Sequence, residues 1–173
     1  AFKLIELNRK FNFIKKNTNL LDIGSYPGGW SQVAKKIISS GKIMSIDLEK
    51  MDEIKEVSFL QVDFLSDKAK NQISRFFKGN LDVILSDMAA NTTGNKSLDC
   101  IRTNQLCSEV IEFSCKNLKN SGVLVSKLFM GEDFLQVKEL AKSRFKKVQF
   151  FKPKASRNES KETYLHCAIL KTL

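Results

Sequence analysis

Residues 20–30, "LLDIGSYPGGW", carry an apolar run into a glycine-rich turn and then into an amphipathic segment that starts at Trp30. That order reads as a strand, a turn and a helix. A glycine-rich turn in this position lets backbone come close to a bulky polar ligand, often a nucleotide. The dinucleotide spacing G-x-G-x-x-G is missing, because three residues without glycine follow Gly24. The turn alone leaves the ligand open.

Beyond the turn, Trp30, Val33, Ala34, Ile37 and Ile38 recur at helical spacing, and "SSGK" closes that helix at Gly41. A helical segment over 2–13 precedes the first strand. "KIMSID" (42–47), "VSFLQVD" (57–63), "LDVILSD" (81–87) and "VLVSKLF" (123–129) read as further strands. Helices are predicted over 67–77, 103–118 and 132–145. "KKVQFF" (146–151) and "ETYLHCAIL" (162–170) follow as two strands joined by a basic loop. No helix separates these last two, so they are expected to pair antiparallel at one side. Alternating strands and helices predict one α/β domain over residues 1–173, with a mainly parallel sheet.

Polar residues then fall at the C-terminal ends of the first five strands: Gly24, Asp47, Asp63, Asp87 and Lys127. In doubly wound sheets the ligand binds outside those ends, where the strand order reverses. A single Asp there is commonly a helix cap, but their repetition along one edge points to a site. Asp47 lies 23 residues beyond Gly24, where a carboxylate can accept hydrogen bonds from both hydroxyls of a ribose. NAD and S-adenosylmethionine both carry that ribose. Pro27 and Trp30 stand where a pyrophosphate would meet a helix N-terminus, which favours the phosphate-free S-adenosylmethionine.

The chain of 173 residues has 29 Lys plus Arg against 19 Asp plus Glu, a net charge of +10 that suits a polyanionic partner such as RNA. Four scattered cysteines without a C-x-x-C pair, and one histidine, make a zinc site of the usual type improbable; no metal is expected. Cys107 and Cys115 read as small core hydrophobes. No apolar run is long enough to cross a bilayer, and no signal peptide is recognisable at the start. A cytoplasmic monomer without membrane contact is the expectation.

"DIGSYPGGWSQ", "IDLEKMD", "FLQVDF", "LSDMAANTTG", "VSKLFMGE" and "SRNESKETYL" resemble, in order, the motifs of the FtsJ-like RNA ribose 2′-O-methyltransferases, bacterial ribosomal RNA enzymes among them. The resemblance runs from Phe2 to the C-terminus. It implies a Rossmann-like S-adenosylmethionine-dependent methyltransferase fold, with a mostly parallel seven-stranded sheet, an antiparallel strand near the C-terminus and helices on both faces. It also implies a Lys-Asp-Lys-Glu catalytic set at Lys3, Asp87, Lys127 and Glu162. For the cofactor it implies the turn Gly24, Pro27, Gly28, Gly29 and Trp30, with Asp47 at the ribose, Asp63 near the adenine and Asp87 near the methionine end. The implied substrate is a uridine of large-subunit ribosomal RNA; a tRNA, an mRNA cap or a silent RNA-binding role on the same fold are the alternatives. Two departures stand beside the site: Ser25-Tyr26 replaces two small residues, and Ala90 replaces a proline.

The chemistry asks for these residue types. A ribose 2′-hydroxyl is a poor nucleophile until a base takes its proton, and a lysine can do so only when neutral. A second cation (Lys3) and a sulfonium nearby favour the neutral amine, whereas Asp87 opposes it and better serves to orient it. Glu162 would hold Lys3 or the nucleotide. A lysine inside the apolar strand "VLVSKLF" is unusual, while Lys3 and Glu162 would pass as surface charges without the motif match. Tyr26 and Trp30 could stack on RNA, but Trp30 leads a core-facing stripe and reads as packing. His166 reads as a strand residue. Lys152, Lys154, Arg157 and Lys161 around the last loop, with Lys10, Lys15 and Lys16 near the start, are the candidate phosphate contacts.

Overall fold

The computed structural model describes residues 1–172. In chain order the elements are α1 (Phe2–Phe11), β1 (Leu20–Ile23), α2 (Gly29–Ile37), β2 (Ile43–Asp47), β3 (Val57–Gln61) and α3 (Asp67–Phe77). They continue with β4 (Leu81–Ser86), α4 (Lys96–Asn117), β5 (Leu118–Phe129), α5 (Phe134–Arg144), β6 (Phe145–Phe151) and β7 (Glu162–Leu170). The seven strands form one sheet in the order β3-β2-β1-β4-β5-β7-β6. Pairings from β3 through β5 are parallel, and β7 inserts antiparallel between β5 and β6. The order reverses between β1 and β4, so the crevice at their C-terminal ends is the topological switch point.

Helices cover both faces, and the strand pleat sorts the apolar residues between them. On one face Leu4 and Leu7 of α1 and Trp30 and Ala34 of α2 pack on Leu20, Ile43, Val83, Val125 and Tyr164. On the other, Ile73 and Phe77 of α3, Val110 and Ile111 of α4 and Val137 and Ala141 of α5 pack on Leu21, Ile46, Ile84, Leu124 and Leu165. Leu20 and Leu21 are neighbours in sequence yet belong to opposite cores. Burying side chains of this size stabilises by about 1.5–3 kcal/mol each before entropy is counted. Among the described residues no helix is long and apolar enough to cross a membrane. The cysteines are free thiols; Cys107 and Cys167 are buried and Cys115 is partly so.

Several element bounds differ from the sequence reading, and α2 ends at Ile37, before the expected closure at Gly41. Helix α4 begins at Lys96, seven residues before the expected start at 103. Asn95 caps it by accepting the Leu98 N–H at 3.1 Å, but Lys96, Ser97 and Leu98 are exposed, so the first turn adds no buried apolar residue to reveal it. Strand β5 begins at Leu118, not at 123, because Leu118 pairs with Leu81 across an irregularity that absorbs the exposed residues 119–121. The N-terminal helix stops at Phe11, where Asn12 turns left-handed (φ 49°) and Asn8 Oδ1 accepts the N–H groups of Phe13 and Ile14. That closure fixes α1, which carries Lys3.

Candidate active site

The chain leaves β1 at Gly24, whose φ of +73° suits glycine. A Cβ there would also stand 2.8 Å from Met88 Cγ and 2.9 Å from Met88 N, so no larger residue fits. The N–H groups of Gly24 and Ser25 donate to the Ile46 carbonyl at 2.9 and 3.1 Å, pinning the turn to β2. Gly28, at φ +115°, starts α2. The Tyr26–Pro27 peptide is cis.

Beneath this turn Asp22 is fully buried, accepting from Ser31 Oγ at 2.6 Å, and Ser31 Oγ in turn lies 2.6 Å from Ser45 Oγ. Its other oxygen has no partner. Burial pushes the Asp22 carboxyl up to about 7 against the pull of the Ser31 hydrogen bond, helped by the nearby charges of Asp87 and Asp47. A raised folded value means stability that is present below the unfolded value near 3.8 and lost as pH rises through about 7. Asp22→Asn keeps an acceptor for Ser31 and removes this loss. Denaturant melts should therefore show the variant gaining on wild type between pH 5 and pH 8; a constant gap would assign Asp22 no titration in that window.

A cleft of about 230 Å³ opens at the switch point, bounded by Gly24, Tyr26, Asp47, Asp63, Asp87 and Met88 among others. Its lining holds three carboxylates and no Lys or Arg. Such a cleft repels a pyrophosphate and suits a cationic nucleoside. Asp47 accepts the Tyr26 N–H on Oδ2 and the Glu49 N–H on Oδ1, both at 2.8 Å. Each carboxylate oxygen keeps a second lone pair for a ligand hydroxyl. Asp63 Oδ1 accepts the Leu65 N–H at 3.0 Å.

A second cleft of about 290 Å³, lined by Phe2, Lys3, Pro27, Gly29, Trp30 and Ala155 among others, shares Gly24, Tyr26 and Asp87 with the first. At this junction four charged side chains converge, from α1, β5, β7 and the segment just past β4. Lys3 of α1 donates to Glu162 Oε1 at 2.9 Å and Oε2 at 3.0 Å. Lys127 Nζ of β5 lies 3.4 Å from Asp87 Oδ1 and 3.8 Å from Glu162 Oε1, with 15% of its side chain exposed. Asp87, just past β4, is anchored by donating its backbone N–H to the Ile23 carbonyl at 3.0 Å. Burial pushes the Glu162 carboxyl up, but hydrogen bonds from Tyr164 and Lys3 and the charges of Lys127 and Lys3 bring it below the ordinary range. The cluster balances two cations with two anions.

A profile of the FtsJ-like methyltransferase family matches residues 1–170. The chain belongs to that family. A relative from Pelagibacter ubique, named ribosomal RNA large subunit methyltransferase E, is 43% identical over 171 residues, covering 99% of this chain and 84% of the relative. A crystal structure from Plasmodium falciparum, assigned to the ribosomal RNA methyltransferases, superposes with a TM-score of 0.86 at 32% identity, over 98% of this chain and 95% of that one. Human methyltransferase-like protein 13, solved with S-adenosylhomocysteine, shares the fold at 15% identity and a TM-score of 0.67, over 96% of this chain and 78% of that one. For an FtsJ-like methyltransferase the methyl donor is S-adenosylmethionine. The acid-lined cleft beside Gly24 fits its adenosine and its positive charges.

The other expected residues of this FtsJ-like site divide. Pro27, Gly29 and Trp30 line the second cleft and not the first. A Cβ on Gly28 would meet Met51 and Ile54, so that glycine serves the packing of the turn. Trp30 is 6% exposed and packs on the Tyr164 ring, with centroids 5.6 Å apart. His166 is buried and stacks on Phe11 at 4.0 Å, and burial pushes its imidazole down to about 4. Lys152 donates to the carbonyls of Ser160 and Glu162 and so staples the basic loop. Glu6 of α1 accepts the N–H groups of Lys154 and Ala155, drawing the loop to the rim of the second cleft. The side chains of Lys154, Arg157 and Lys161 are exposed there.

Sequence reasoning left Tyr164 without a role. It is fully buried, yet its hydroxyl lies 2.7 Å from Asp87 Oδ1 and 2.6 Å from Glu162 Oε1. The available signal was its spacing, two residues after Glu162 in a strand, which places both side chains on one face.

Proposed function

We propose that this protein methylates a ribose 2′-hydroxyl of RNA, namely of a uridine in large-subunit ribosomal RNA, acting as a single-domain cytoplasmic monomer. The observation that carries the reading is the meeting of two clefts at Asp87, with Lys3, Lys127 and Glu162 gathered there. One cleft suits the donor, and the other opens toward the basic loop and suits an RNA nucleotide. The names of the Pelagibacter ubique and Plasmodium falciparum proteins support ribosomal RNA as the substrate.

When bound, S-adenosylmethionine supplies an electrophilic methyl group on a sulfonium. Asp47 and Asp63 hold the adenosine end from the tips of β2 and β3. Asp87 orients the Lys127 amine through the 3.4 Å contact. Lys127 Nζ, in its neutral form, takes the proton of the 2′-hydroxyl as the oxygen becomes a nucleophile. Lys3, fixed by both oxygens of Glu162, places a cation beside the developing oxyanion. Holding the reacting groups in one geometry contributes as much as any single charge. RNA is the substrate because DNA has no hydroxyl at that atom.

The direct test is transfer of a labelled methyl group to ribosomal RNA, free and in large subunits, followed by mapping of ribose methylation. Label on a base, or none on either RNA, rejects the reading. Lys154, Arg157 and Lys161 lead to a second expectation. RNA affinity should fall steeply with salt, and alanine at Lys154 and Arg157 should flatten the slope of log K against log salt by about 0.7 per contact removed. An unchanged slope in filter binding would remove that loop from the RNA surface.

A further inference from the structure

The hydroxyl of Tyr164 is the hub of the charged cluster. The two carboxylate oxygens it touches are those used by the lysines: Asp87 Oδ1 faces Lys127, and Glu162 Oε1 pairs with Lys3. Strand register produces this arrangement. Tyr164 stands directly opposite Lys127 in the β5–β7 ladder, and opposed residues in an antiparallel pair share a face of the sheet. The ring is locked from the other sides by Trp30 of α2 and by Phe151 of β6, its partner in the neighbouring ladder. The titratable groups facing the hydroxyl are Lys3 of α1, Asp87 after β4, Lys127 of β5 and Glu162 of β7. Trp30 and Phe151 bring no charge.

A phenol has one proton, and both contacts are as short as hydrogen bonds to ionised oxygens. It cannot donate a full hydrogen bond to each of two carboxylates. The two oxygens must share that proton. The hydroxyl is thus tied into the cluster, and burial together with the charges of Asp87 and Glu162 pushes its ionisation far out of reach.

We infer that Tyr164 is a positioning residue for methyl transfer, which joins the Lys127–Asp87 and Lys3–Glu162 pairs into one unit through its hydroxyl and limits the hold of Asp87 on the Lys127 amine. The inference rests on the ribose methylation proposed above. By donating to Asp87 Oδ1, the hydroxyl partly neutralises the oxygen that faces the Lys127 ammonium. Without it, Asp87 pairs more fully with the charged amine and keeps it from acting as a base. The hydroxyl also screens Asp87 from Glu162, whose charges otherwise face each other across the gap.

Tyr164→Phe removes one oxygen and keeps the packed ring. It should fold and bind S-adenosylmethionine as wild type does, since Tyr164 does not line the donor cleft. Its single-turnover rate on RNA should fall about 10- to 100-fold, with KM for RNA unchanged, and the alkaline rise of its pH–rate profile should move to higher pH. An unchanged rate, or a lower rate with an unmoved profile, overturns the assignment. Glu162→Gln supplies a second measurement, because it leaves the hydroxyl only one charged partner. The tyrosine substitution should cost less rate in that background than in wild type, and additive losses also overturn the inference. Wild-type protein that methylates no ribose would refute the proposed function itself, an outcome separate from these.

Discussion

Lys127→Ala lowers the single-turnover rate of methyl transfer by about 10²- to 10⁴-fold, the range for removing a general base, while S-adenosylmethionine affinity stays near wild type. The expectation follows from where Lys127 stands. Its amine meets Asp87 and Glu162 at the junction of the clefts, and it does not line the donor cleft itself. Lys127→Arg should fail as well. A guanidinium stays protonated at any workable pH, so arginine restores charge without restoring a base. The sign of the pH dependence follows from the same role. A base works in its deprotonated form, so the wild-type rate should climb with pH where chemistry limits turnover, and the climb should vanish in both variants. Rapid-quench measurements over a pH series, with calorimetric titration of the donor, check each part. An arginine variant with a near wild-type rate would mean that Lys127 supplies positive charge alone and that positioning carries the reaction.

Asp47→Ala should weaken S-adenosylmethionine binding by about 3 kcal/mol, roughly 150-fold, if two hydrogen bonds from ribose hydroxyls to a charged acceptor are lost. The structure adds a second cause to the ribose contact. Asp47 already accepts the N–H groups of Tyr26 and Glu49, so alanine also loosens the Gly24–Gly28 turn that walls the cleft. Asp47→Asn separates the two. Its amide oxygen can still accept one backbone N–H, but it lacks the charge and the second acceptor. An intermediate affinity in the asparagine variant is therefore expected. Calorimetry that finds wild-type affinity in a folded alanine variant removes Asp47 from the donor site. The turn's part in binding can be read from the heat of the same titrations, since a loosened loop must be reordered by the ligand.

Much of the architecture was legible because its signals are local. The turn after Ile23 needs glycine for its φ and for the approach of Met88, so "DIGSYPGG" announces itself wherever it occurs. Helix α3 ends where it was expected, since Ser66 caps the start and a left-handed Lys78 closes it. The start of α4 escaped because its capped first turn is exposed and its first buried residue is Thr103, and β5 was read short because its first residues pair across an irregularity.

The site divides in the same way. The strands, the acidic residues at their tips and the polar Lys127 inside an apolar strand are visible from residue type and short spacing alone. That Lys3 reaches Glu162, 159 residues away, and that Lys127 stands across from Tyr164 come from the folded arrangement. Those meetings depend on β7 inserting between β5 and β6 and on one ladder register, where a slip of a single residue would turn Glu162 and Tyr164 to the opposite face. Periodicity reports which side of a strand is buried. It does not report which strand lies next to it, and the charged cluster is a property of that neighbour.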